Sequence, residues 1–346
     1  MKKLIIWLVL MCSLAIPVSA LDFDVPTAPE EAQQYMPEET ESFAEGLLYI
    51  IRSAIGNARP SLSKVSAICI RLIVTILLIR ILSSVSNEES NAVRLTGTVV
   101  IVLLLLDPIG SVVQLSTSTV TEMTEYGKLL LPVMTAAMAA QGGTTTSAAL
   151  YTGTVVFTTF LTTIITRLIV PALYIYLCIC VADSAIKQDM LGKIRDFIKW
   201  AMTWSLKIVL YVFTGYMSIT GVISGTVDAS ALKAAKLTIS GVVPVIGSVL
   251  SDTSETILVS AGIMKNAAGV YGIFAVVAIF ISPFLEIAIQ YLMLKLTSAI
   301  CNMIGSKQSV SLVNNFSTGM GIVLAMTGTV CVLLLISLVC FMKGMS

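Results

Sequence analysis

Long apolar runs separated by short polar punctuation dominate the chain, and their lengths set the elements they predict. Runs at 65–85, 95–115, 148–166 and 201–224 are each of the order of the roughly 20 residues that a helix needs to cross a bilayer. Between them, 116–128 reads as a polar amphipathic link. The run 129–143 would rise only about 22 Å as a helix, short of a hydrocarbon core of about 30 Å, so it either half-enters the membrane or spans against protein. Gly142 and Gly143 supply a turn before the next helix, and the segment 168–182 is expected to break at Pro171, because a proline removes one helix hydrogen bond. Earlier, Phe43, Leu47, Ile50, Ile51, Ala54 and Ile55 recur at helical spacing and predict an amphipathic helix over 43–58 on the membrane surface or on the bundle.

Composition turns this pattern into a class. The chain has 346 residues, of which 56% are hydrophobic and 12% charged, and its mean hydropathy is +0.94. That is the profile of a polytopic membrane protein. A net charge of +1 and the absence of histidine leave no basic field for nucleic acid and no imidazole for catalysis or metal ligation. Cys69, Cys178, Cys180, Cys301, Cys331 and Cys340 lie in apolar runs and are read as packing residues. Cys178 and Cys180 are too closely spaced, and lack a second pair, for a zinc site. No metal or cofactor is expected.

The first twenty residues read as a secretory signal, with Lys2 and Lys3, an apolar run and Ala20 at the cleavage position; an uncleaved anchor is the alternative. Residues 21–46 are acidic and contain neither Lys nor Arg, which predicts a poorly ordered extracytoplasmic leader. Lys187, Lys193, Arg195, Lys199 and Lys207, with Trp200 among them, predict a basic interfacial linker on the cytoplasmic face. The membrane domain thus covers 61–346, behind a leader and amphipathic helix at 21–60. Arg71 and Arg80 are read as anchors at the ends of a span, and Asp107 before Pro108 as an answer to backbone groups freed by the kink.

A weak self-similarity runs through the chain. Pro132 and Val133 recur as Pro244 and Val245, and the surroundings of Pro171 recur around Pro283, at a shift of about 112 residues. The fold class is therefore all-α, a transmembrane bundle with two parallel internal repeats (119–224 and 226–341) containing short or broken helices. Broken-helix positions are Pro132, Gly142, Gly143, Pro171, Pro244, Gly247 and Pro283.

The stretch 241–269 mixes Pro244, several glycines, a polar run from Ser251 to Thr256 and the pair Lys265 and Asn266 among apolar segments. Asp252 and Glu255 have capping-box spacing, which puts Asp252 at an N-cap. The same residues, with Lys265, Asn266 and Glu286, are the candidates for a polar gate at a broken helix. Lys265 and Arg167 are the partners available to Glu286. No catalytic set is present: Asp107, Asp252 and Glu286 form no protease motif.

The residues 243–257, followed by Leu258 to Ala261 and by Lys265 to Gly269, resemble the signature stretch of the stage III sporulation protein AE family of endospore-forming bacteria. Leu131 and Pro132 with Gly142, Gly143, Ser147 and Ala148, and the step Thr226, Val227, Asp228 with Lys236 before Pro244, add to the resemblance. It covers roughly 43–342. It implies a non-enzymatic multi-pass protein of the mother-cell membrane around the forespore. Its implied partners are the other stage III A operon products, an ATPase and ring-forming proteins among them, and stage II sporulation protein Q. Together these form a channel or secretion-like complex that sustains the engulfed forespore. Membrane lipid is a further partner, and assembly with other copies of the chain stays open. The competing reading is a secondary transporter of a small solute with its site at broken helices.

Overall fold

The computed structural model describes residues 25–37, 42–85, 91–186, 189–242, 247–304 and 306–343, and for 221–265 the backbone alone. Every regular element among them is helical. They are α1 (Glu30–Gln33), α2 (Phe43–Asn57), α3 (Arg59–Val85), α4 (Asn91–Ala140), α5 (Thr144–Ile164), a π turn (Ile165–Ile169), α6 (Val170–Ile186), α7 (Asp189–Val242), α8 (Gly247–Ile304) and α9 (Lys307–Lys343). Five stretches within these helices are long and apolar enough to cross a membrane: Arg59–Ser84, Leu95–Ala140, Thr144–Ile186, Asn266–Ile304 and Lys307–Lys343.

The helix α9 is the axis of the bundle. Leu312, Phe316, Met320, Val323, Val330, Leu334 and Phe341 are all buried, and the apolar surface continues around the helix, as expected of a segment enclosed by others. It packs most extensively on α8 and α4, and touches α5, α6 and α7 as well. Small residues let these helices close. A Cβ at Gly272 of α8 would run into Leu130 of α4, and one at Gly269 would meet Met342 of α9. That is the small-residue packing expected where lipid supplies no hydrophobic drive between helices.

Three helices are far longer than a span. At 1.5 Å per residue, the 50 residues of α4, 54 of α7 and 58 of α8 reach about 75, 81 and 87 Å. Even tilted by about 40°, α4 would cover nearly 60 Å along the bilayer normal, twice the hydrocarbon thickness, so part of each lies beyond the hydrocarbon.

Several expectations change here. Pro132 and Pro283 sit inside α4 and α8 without ending them. Pro171 does not break its segment either: the missing N–H is accommodated by the π turn at Ile165–Ile169, from which the chain re-enters α6. Most of the short run 129–143 is the end of α4, which stops at Ala140, and it packs against protein with Leu130, Leu131, Met134 and Met138 buried. Gly142, at φ 93°, and Gly143 do form the turn expected of them. The two proposed repeat units divide into different elements: the first holds the end of α4, α5, α6 and part of α7, whereas the second holds the end of α7, α8 and α9. Pro244 and the signal segment lie outside the described residues.

The described part of the acidic leader is docked rather than loose. The Ala28 N–H donates to the Tyr271 hydroxyl at 3.3 Å, Tyr35 donates to Ser282 Oγ at 3.2 Å, and Tyr126 donates to the Pro26 carbonyl at 3.5 Å. Ala28, Ala32 and Tyr35 are buried. Helix α2 then starts at Ser42, whose Oγ accepts the Glu45 N–H. It turns Gly46, Ile50 and Ala54 inward against α8, where Phe43 stacks on Phe274 with centroids 5.3 Å apart. The amphipathic helix therefore lies on the bundle.

A close helix approach gives a stability test. A Cβ at Gly153 of α5 would enter the ring of Tyr216 on α7, and that ring is held by its hydroxyl on the Ala149 carbonyl (3.0 Å) and by Phe157. Gly153→Ala should destabilise the detergent-solubilised protein by about 1–3 kcal/mol, the usual range for overpacking, read as a lower thermal midpoint. Adding Tyr216→Ala should recover part of the loss, and a Gly153→Ala midpoint equal to wild type would refute this packing.

Candidate functional site

Two polar features stand out in the bundle. The first is a seam of hydroxyl groups through its interior. Ser116 of α4 donates to the Val323 carbonyl of α9 at 3.4 Å. Thr124 of α4 and Thr162 of α5 share a hydrogen bond at 2.8 Å, and Thr154 of α5 bonds Ser337 of α9. Ser317 reaches the Tyr291 carbonyl at 3.4 Å and Tyr176 the Asn315 carbonyl at 3.2 Å. Thr119 and Thr124 also donate to carbonyls four residues back, Leu115 and Val120, at 2.7 Å each. The polar run 116–128 is thus the middle of α4 rather than a link. A hydroxyl bonded to its own helix can enter an apolar core without an orphaned donor.

The second feature is a cleft of about 400 Å³ between α7, α8 and α9. Lys199, Thr203, Leu206, Lys207 and Leu210 line it from α7, Tyr291 and Lys295 from α8, and Thr318, Ile322, Ala325 and Thr329 from α9. The α7 residues follow the three-and-four spacing of one helix face. Lys295 Nζ donates to Asn314 Oδ1 at 2.8 Å, which fixes one ammonium group at the cleft. At the start of α7, Arg195 bonds Asp183 of α6 at 2.7 Å and Asp196 at 3.1 Å. Partial burial works against the charge on Arg195, but Asp196 and Asp183 more than offset it and hold the guanidinium above the ordinary arginine range.

The residues singled out in the sequence are not gathered into one site. Asp252 and Glu255 fall inside α8, which begins at Gly247, so Asp252 is not at an N-cap. The side chains of Asp252, Glu255 and Lys265 are outside what the structure describes. Asn266 is exposed, and Glu286 is half-buried one turn after Pro283. Arg167 is exposed on the π turn, and no ion pair joins it to Glu286 among the described residues. Asp107 is exposed on α4. Cys69, Cys180, Cys301 and Cys331 are buried as packing residues, while Cys178 is exposed. Among the described residues no three His, Cys, Asp or Glu side chains converge to hold a metal.

Sequence reading located the lysines of α7 but missed Tyr291, Lys295 and Thr318 as their neighbours, since nothing in the spacing joins three separate helices. It also missed the hydroxyl seam, because a run of Ser and Thr reads as loop unless its i−4 back-bonds are known.

An all-helical membrane bundle of this kind could serve many purposes, and comparison with known proteins narrows them. The model of the family described as stage III sporulation protein AE matches residues 32–344. The chain belongs to the stage III sporulation protein AE family. A curated relative, stage III sporulation protein AE of Bacillus subtilis (strain 168), is 20% identical over 239 residues, 69% of this chain. The chain covers 60% of that relative's length. No solved structure matches the chain. For this family member the match runs from the docked leader to the end of α9, so both polar features fall inside it.

The seam is testable by a double-mutant cycle. Thr154→Val should cost about 1 kcal/mol by leaving the buried Ser337 hydroxyl without its partner. Thr154→Val with Ser337→Ala should cost less than the sum of the two singles. Strict additivity of the three thermal stabilities would mean that the hydroxyls do not bond.

Proposed function

We propose that this stage III sporulation protein AE family member is a membrane component of a multiprotein channel or secretion-like complex between mother cell and forespore, and that forespore development after engulfment requires it. The match over 32–344 is the observation that carries this reading, since it brings the sporulation role to nearly the whole described bundle. Two features of the fold favour a platform over a self-contained enzyme. The helices longer than a span offer surface outside the bilayer, and the buried polar groups are hydroxyls and an amide with no acid–base or nucleophile arrangement among the described residues. The resident membrane in this reading is that of the mother cell around the forespore. The basic start of α7, with Lys295 and Lys307, faces the cytoplasm under the positive-inside rule, and the docked leader faces the intermembrane space. The partners are the other stage III A operon products and the stage II sporulation protein Q complex. The residues of 241–269, with Asp252, Glu255 and Lys265, are the candidate gate.

Two experiments address it. Clean deletion should arrest sporulation after engulfment, and the tagged protein should co-purify with the stage III A ring proteins from sporulating cells; normal spore yield in the deletion strain would sink the proposal. In intact membranes, single cysteines placed along 241–269 should react with a water-borne maleimide on alternate helical faces. Protection throughout would remove this stretch as a water-lined gate.

A further inference from the structure

We propose that the cleft between α7, α8 and α9 is a binding site for an anionic phospholipid of the cytoplasmic leaflet, with its phosphate on Lys199, Lys207 and Lys295 and an acyl chain along Leu210, Ile322 and Ala325. The lining contains three lysines and no acidic residue. Lys295 is steadied by a neutral amide, so the three positive charges have no carboxylate in the cleft to answer them. Such a cluster is at its lowest energy when an anion joins it.

The depth of the cleft selects a lipid over a soluble anion. Lys199 and Leu210 are separated by about 11 residues on α7, or roughly 16 Å of rise, close to the thickness of one leaflet's hydrocarbon. Along this length Leu206 and Leu210 of α7 with Ile322 and Ala325 of α9 supply the apolar half of the lining, while Lys207 sits between the two leucines and Thr329 follows Ala325. Phosphate alone would leave that apolar half facing water. Gly321 lets α9 come close to the Tyr291 ring in the cleft wall, because a Cβ there would crowd that ring at 3.2 Å. On the same helix, Phe197, Trp200 and Trp204 stack in series, with centroids 6.0 and 6.1 Å apart, and all three are exposed. Exposed aromatic residues in sequence mark headgroup depth, and basic pockets between membrane helices at this depth suit lipid phosphates.

The full chain carries three tryptophans, and two of them, Trp200 and Trp204, directly follow the cleft residues Lys199 and Thr203 on α7, which provides the readout. With Trp7→Phe as background, the protein is placed in phosphatidylcholine nanodiscs containing increasing fractions of phosphatidylglycerol with brominated acyl chains. Bromine quenches the fluorescence of Trp200 and Trp204. The proposal expects half-maximal quenching at a much lower mole fraction of the brominated anionic lipid than of brominated phosphatidylcholine. Each lysine should contribute about fivefold to this preference. Lys207→Gln with Lys295→Gln should shift the half-point upward by more than tenfold, and Ala325→Phe, which fills the apolar half and leaves the charges intact, should also weaken the preference. All three side chains are exposed, so these changes spare the core; Lys199→Gln alone serves if the double variant fails to fold. Equal quenching by the two lipids, or a lysine variant with the wild-type curve, would overturn the proposal and leave the lysines to an acidic polypeptide. Loss of the preference on adding inorganic phosphate at constant ionic strength would also overturn it, since the site would then take the free anion.

Discussion

Within hydrocarbon no water is available to a peptide group, so each N–H and C=O must find its partner inside the segment or in a neighbouring one. Much of this bundle can be read as an answer to that requirement. Pro108, Pro132 and Pro283 remain within continuous helices, and the missing donor at Pro171 is met by a widened turn rather than by a break. Thr119 and Thr124 of α4 return their hydroxyl protons to carbonyls of their own helix, and Ser116 donates to a carbonyl of the facing α9. The chain tolerates polar residues in its core because none of these interactions asks for solvent.

Lipid tails are as apolar as leucine, so the hydrophobic effect gives little reason for one membrane helix to prefer another. Close fit has to supply the preference. Gly153, Gly269 and Gly272 bring α5, α8 and their neighbours into contact, and the hydroxyl seam adds direction to what would otherwise be smooth surfaces. The leader extends the same logic to the bundle's edge, where Tyr35, Tyr126 and Tyr271 each present a ring to apolar surface and a hydroxyl to a polar partner.

Hydropathy made the class, the main apolar segments and the α2 amphipathic helix legible in the sequence, because bilayer thickness imposes a length and a composition on anything that crosses it. The helix boundaries were less legible. Pro132, Pro171 and Pro283 each read locally as a break, and only the neighbouring packing decides that the helix continues. Asp252 and Glu255 illustrate the same limit: capping spacing is a local signal, and it recurs by chance inside α8. The acidic leader read as disordered because its carboxylates have no Lys or Arg among them to balance the charge, yet two alanines and a few tyrosine contacts suffice to dock it. The lysine cleft joins 199–210 of α7 to residues of α8 and α9 that begin only at Tyr291, a relation that only tertiary packing creates.

The buried polar side chains of the described bundle are serine, threonine and glutamine. A transmembrane potential does work only on charge that it can move, about 2.3 kcal/mol per elementary charge for each 100 mV. Where the interior carries only these neutral groups, the packing is nearly indifferent to the energised state of the membrane around it. A response to membrane voltage would have to act on charged side chains that the helices carry elsewhere, the half-buried Glu286 of α8 among them, or on other subunits.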